Sequence, residues 1–127
     1  MDLLERATVL AACPLFEPLA PAALIRLAER ARSAELVSGQ RRTTDDTVWI
    51  VARGRVAVAG TSAGAGRAIG LVRVLRRDTR AIEIVADEPS ELVALAANDV
   101  RDVLEEDAAA GAALADRLAA LLAGEAP

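Results

Sequence analysis

The sequence predicts a mainly β domain with flanking α-helices. Three observations carry this. The first thirty-odd residues have helical spacing of apolar positions, the stretch from Ala34 to Ala96 breaks into short strand-like runs separated by glycine and polar turns, and helical spacing returns from Asn98 onward. At 127 residues with 54% hydrophobic side chains, a single domain with its own core is expected. Aromatic residues make up only 2% (Phe16 and Trp49), so that core must be assembled from Val, Leu, Ile and Ala. Each of these small side chains buries less area, at roughly 25 cal/mol per Å².

At the front, Asp2 is placed to cap a helix over Leu3 to Ala12, which Pro14 ends. Pro21 suits the first turn of a second helix, whose Leu24, Leu27, Ala28 and Ala31 share one face while Arg26, Glu29 and Arg30 take the other. Strands follow at Ala34 to Val37, Thr47 to Ala52 and Arg55 to Ala59, with Gly39 as a turn. The last two, joined by Arg53-Gly54, read as a hairpin. Ala59 to Gly66, rich in glycine and alanine, reads as a flexible linker. Arg80 to Ala86 alternates as a strand, Asp87-Glu88-Pro89-Ser90 forms a turn, and Glu91 to Ala96 gives a last strand. Asn98 is expected to cap a helix with Val100, Val103 and Leu104 inward. Glu105-Glu106-Asp107 then leads into a final helix carrying Leu114, Leu118, Leu121 and Leu122.

Composition narrows the chemistry. Every basic residue is arginine, and histidine, lysine and tyrosine are absent, which removes the commonest general base and metal ligand together with lysine and tyrosine nucleophiles. No catalytic or metal-ligating set can be assembled, and the chain is read as no enzyme. The net charge of −4 opposes broad nucleic-acid binding, which needs a basic footprint. The lone Cys13 is read as a small buried hydrophobe, and it fits a reducing, cytoplasmic setting. No apolar run reaches the roughly 18 residues of a membrane span, so no insertion is expected. Gly64, Gly66 and Gly70 suggest a dinucleotide loop, but the third glycine is one residue too far and no Gly-Lys-Ser/Thr ending is present.

Several motifs agree in order with a known family. Leu4-Glu5-Arg6, Pro14-Leu15-Phe16, Leu24 to Ala31 and Gly39 at the front, Asp46 to Val56 with its Arg53-Gly54 turn in the middle, and Leu95, Asp99, Val100, Leu104 and Asp107 at the back resemble the cyclic nucleotide-binding domain family. The resemblance covers nearly the whole chain. It implies a double-stranded β-helix, a jelly-roll-like β-roll of eight strands, over residues 34–97, with N-terminal helices over 1–33 and C-terminal helices over 98–127.

In such domains a cassette opens on glycine, presents helix-start N–H groups to the cyclic phosphate and pairs an arginine with its charge. Gly70 and Arg80 have the matching separation, so Gly70, Leu71, Arg80 and Ala81 are the candidate ligand-binding residues. Leu71 stands where the family carries the glutamate that accepts from the ribose 2′-hydroxyl, and Glu83 stands where threonine or serine is usual. An aliphatic side chain cannot take that hydroxyl's hydrogen bond, and stranding a buried polar group costs about 1–3 kcal/mol. As a structural residue, Arg80 would instead pair with a local carboxylate such as Asp78 or Glu83, or lie in solvent. The gaps between Gly39 and Asp46 and between Val58 and Gly70 further suggest an abbreviated roll.

The leading expectation is therefore a divergent, non-catalytic structural or protein-interaction and regulatory module that binds no cyclic nucleotide and needs no cofactor. A protein partner or a second copy would meet the C-terminal helix through Leu114, Leu118, Leu121 and Leu122. The alternative is a working sensor of cyclic AMP, cyclic GMP or another small anion, the sensory half of a transcription regulator. With no helix-turn-helix behind Leu122, these residues are not expected to read DNA themselves.

Overall fold

In a computed structural model the described residues are 1–78 and 80–123, without the side chains of Leu121 and Leu122. Helix α1 (Leu3–Ala12) starts where Asp2 accepts a hydrogen bond from the Glu5 N–H, and α2 (Pro21–Arg30) starts on its proline. Eight strands follow: β1 (Arg32–Leu36), β2 (Arg41–Thr44), β3 (Thr47–Arg53), β4 (Arg55–Val58), β5 (Thr61–Gly64), β6 (Ala68–Ile69), β7 (Ile82–Ala86) and β8 (Ser90–Ala96). The short α3 (Leu71–Leu75) lies between β6 and β7, and α4 (Ala97–Glu106) and α5 (Ala108–Leu122) close the chain.

The strands form two four-stranded antiparallel sheets, ordered β1-β8-β3-β6 and β2-β7-β4-β5. Apart from β4 and β5, which are neighbours in one sheet, successive strands alternate between the two sheets as the chain winds, which gives the jelly-roll connectivity of a β-roll. The first sheet is buried on both faces, and β3 shows how period-two alternation achieves this. Val48 and Ile50 join Val93 and Leu95 in a core shared with Leu10, Phe16, Leu27 and Val100 of the helical layer. Trp49 and Val51 point the other way, meeting Leu36, Val56, Ile84 and Leu92 in the roll interior.

Three local expectations are corrected. The strands on either side of Arg53-Gly54 do not form a hairpin: β3 pairs with β6 and β8, whereas β4 pairs with β5 and β7. Gly54, at φ +90°, turns the chain from one sheet into the other. A Cβ there would stand 2.5 Å from the Pro89 carbonyl oxygen and 2.4 Å from the Ser90 hydroxyl, so only glycine fits this corner. The supposed linker contains β5, which forms the true hairpin with β4 through Ala59 and Gly60, both at positive φ as a two-residue turn requires. Thus all eight strands are present, and abbreviation shows only in length, β6 having two residues. Asn98 does not cap α4. The N-cap is Ala96, and the Asn98 side chain accepts a hydrogen bond from Arg101.

Cys13 and Phe16 are both fully buried, and burial pushes the Cys13 thiol pKa up. Arg26 and Arg30 reach from α2 to Glu106, Asp99 and Asp102 of α4, half-exposed pairs that orient the last helices. Arg117 holds α5 down, its Nε donating to the Pro14 carbonyl and its Nη2 meeting Glu17.

Candidate functional site

The segment from Gly70 to Ala81 connects β6 to β7 and forms one helical turn followed by an arginine-rich loop. Gly70 is the N-cap of α3 at φ +89°, and a Cβ on it would come within 2.9 Å of the Thr47 carbonyl oxygen. Its glycine is therefore demanded by the backbone, whatever the segment binds. Leu71 and Val74, three apart on α3, are 2% and 3% exposed in the core beneath the helices. Arg101 of α4 donates to the Val74 carbonyl at 3.1 Å, fastening the end of α3 to the helical layer.

Past α3 the chain turns outward. Arg76 and Arg77 are exposed, Arg77 at φ +56°. Asp78 then accepts from Arg80 three ways: the backbone N–H at 3.0 Å, Nε at 3.1 Å and Nη2 at 2.8 Å. The Arg80 guanidinium, aided by its backbone N–H, holds the Asp78 carboxyl well below the usual carboxylate range, and Asp78 in turn raises the Arg80 pKa. Arg80 nonetheless remains 87% exposed. Arg73 is a distant second partner, its Nε 4.0 Å from Asp78, with a buried Nη2 that has no hydrogen-bond acceptor.

The four candidate residues are thus divided by burial. Gly70 and Leu71 belong to the frame, Arg80 points into solvent against Asp78, and Ala81 is exposed beside a surface hollow of about 410 Å³ shared with Ala57, Val58 and Glu83. Neither Leu71 nor Arg80 lines that hollow. Glu83 is engaged elsewhere, paired with Arg41 at 3.0 Å across β2 and β7.

Further inside, Trp49 donates its indole N–H to the Thr44 hydroxyl at 3.3 Å, and the Arg42 guanidinium lies 5.1 Å from the ring centroid. Neither this arginine cover nor the Arg101 brace is legible in the sequence. The only signal for Arg42 was an arginine at an inward-facing register of β2, opposite Ile84.

The two-sheet roll, the helix between β6 and β7 and the closing helices can be set against solved structures. The fold is that of cyclic nucleotide-binding domains. A putative cyclic nucleotide-binding protein from Ruegeria pomeroyi is similar over 98% of this chain at TM-score 0.78 and 14% identity, with 61% of that protein covered. The sensor domain of the transcriptional regulator DNR from Pseudomonas aeruginosa is similar over 91% of this chain and 92% of its own length, at TM-score 0.75 and 17% identity. The regulatory domain of Toxoplasma gondii PKA, solved with cAMP, is similar at TM-score 0.74 and 13% identity over 92% of this chain and 49% of that one. The chain thus spans about three fifths of the first of these structures and about half of the last. No protein-family model matches the sequence, and no curated protein matches it.

Of the proposed interface leucines, Leu114 is 1% exposed in the chain's own core and Leu118 packs partly against it. The side chains of Leu121 and Leu122 lie outside the described residues. Among the described residues no helix is long and apolar enough to cross a membrane, and no group of three metal-ligating side chains converges.

Proposed function

We propose that this chain is a single cyclic nucleotide-binding-like domain working in the cytoplasm as a non-catalytic regulatory and protein-interaction module, without a cyclic nucleotide or other cofactor. One observation carries this reading: the cassette arginine, Arg80, is already neutralised by its neighbour Asp78 and faces solvent, not a cavity. A cyclic phosphate would have to displace a carboxylate held by three donor groups of Arg80. Leu71 supports the same reading, because it is packed into the helical core and has no group to offer a ribose hydroxyl. A non-catalytic role accords with the hydroxyl chemistry, since among the described residues the Ser and Thr side-chain partners are backbone groups, Trp49 and Arg55, none of them a general base. The partner, a second protein or a second copy, would meet the outward side of α5, where Ala113, Asp116 and Ala120 border a hollow of about 460 Å³ with Glu17 and Pro18.

A second reading, a small-anion sensor forming the sensory half of a transcription regulator, is favoured by the near-complete overlap with the DNR sensor domain. Calorimetry with cyclic AMP and cyclic GMP separates the two. The proposed module gives no saturable heat, whereas micromolar binding that disappears in Arg80→Ala establishes the sensor.

A further inference from the structure

We propose that the arginine turn from Arg73 to Arg80, braced by Arg101, docks a short acidic peptide segment of a partner protein. The inference rests on the interaction-module reading above and adds to it a second surface, separate from the α5 hollow, with the chemistry of what that surface binds. The turn carries four arginines, Arg73, Arg76, Arg77 and Arg80, and one carboxylate, Asp78, which meets Arg80 at 2.8 Å and Arg73 at 4.0 Å, while Arg101 donates to the Val74 carbonyl at its base. That carboxylate is committed to Arg80, which leaves Arg73 at 4.0 Å with an unbonded Nη2. Arg76 and Arg77 pair with no carboxylate among the described residues and are exposed. The turn is therefore short of carboxylates, and Asp78 already displays how one is gripped, by guanidinium and backbone N–H together.

Charge is segregated along the chain. Positions 41–80 hold nine arginines against three carboxylates, and the remaining positions hold six against sixteen, for a net −4. The net charge opposes a long polyanion, which needs a basic footprint larger than one turn. Single-stranded nucleic acid is further disfavoured because the two aromatic rings, Phe16 and Trp49, are buried and offer no stacking platform. The backbone of the turn is pre-set by the Arg76 N–H to Val72 and Asp78 N–H to Arg73 hydrogen bonds and by the Arg101 brace, so little ordering is needed on binding.

The test is fluorescence anisotropy of the whole chain with a labelled peptide of ten glutamates, its glutamine counterpart, a single-stranded oligonucleotide and phosphatidylserine vesicles, between 20 and 150 mM salt. The glutamate peptide should bind in a salt-sensitive manner and the other three should not. Arg76→Glu with Arg77→Glu should abolish binding, and Arg76→Gln with Arg77→Gln should weaken it at least about fivefold, with thermal melting unchanged. Arg32→Glu with Arg67→Glu, exposed positions outside the turn, should leave it within about twofold. No binding of the glutamate peptide at 20 mM salt, equal loss in both reversal pairs, or tighter binding of the oligonucleotide or vesicles overturns the proposal. Cyclic AMP added to the same samples keeps the two claims apart. If it binds, the nucleotide-free reading fails, and if neither it nor the peptide binds, only the docking surface fails.

Discussion

Leu71 and Arg80 bound one short connection and have opposite surroundings. Leu71 is pressed into the core with Val48, Ile50 and Val74, while Arg80 stands in solvent with Asp78. The buried end is held by packing, by the left-handed Gly70 and by the Arg101 brace, so its geometry survives changes in what the segment binds. The exposed end is held by one carboxylate and a few backbone hydrogen bonds, and its chemistry is free to change without loss of the fold. The frame of this connection and the charge it displays are thus held by separate sets of contacts.

The sharpest way to break this comparison is Leu71→Glu. If Leu71 belongs to the core, the variant buries a carboxylate without a partner and should lose about 3–5 kcal/mol in urea unfolding. Near-wild-type stability would place this side chain on a ligand-facing surface. Gly54→Ala should be next, at about 3 kcal/mol, because the alanine adopts a left-handed conformation and its Cβ strikes Pro89 and Ser90. Gly70→Ala should cost about 1–3 kcal/mol, since its Cβ contact with Thr47 is less severe at 2.9 Å.

The exposed end should respond least, and with a pH signature. The folded Asp78 carboxyl titrates below its ordinary value of 3.8, so its stabilising contribution is complete above that pH and fades as the pH falls through the folded value. Asp78→Asn should thus be slightly less stable than the parent at pH 7, with the gap closing below about pH 3.8. A gap that persists undiminished at pH 2 would show that the charge pair is not its source.

Much of the frame was legible in the sequence because its signals are local. Asp2 and Pro21 announce α1 and α2, and Thr47 to Arg53 alternates cleanly because both faces of β3 are buried. What was misread depends on distant partners. Nothing near Gly54 reveals that Ser90 and Pro89 occupy the space beside it, so a sheet-to-sheet corner looked like a hairpin. Strand β5 consists of Thr, Ser, Ala and Gly, residues of weak strand preference for the most part, and exists because β4 supplies its ladder. The pairing of Arg80 with Asp78 was readable as one of two choices, being two residues apart, whereas Glu83 is claimed by Arg41 from another strand. The sequence places Leu71 at the family's glutamate position, and its burial beneath the helices comes from the packing of α3, which no nearby residue announces.

In the function proposed above, the segment from Gly70 to Arg80 keeps its backbone frame and has no grip on a cyclic phosphate. Amide NMR spectra of the ¹⁵N-labelled chain titrated with cyclic AMP test this most directly, since the N–H groups from Leu71 to Arg73 and of Arg80 and Ala81 report on the segment itself. Their positions should stay fixed as the nucleotide is added. Saturable shifts confined to those amides, abolished by Arg80→Ala, would contradict it.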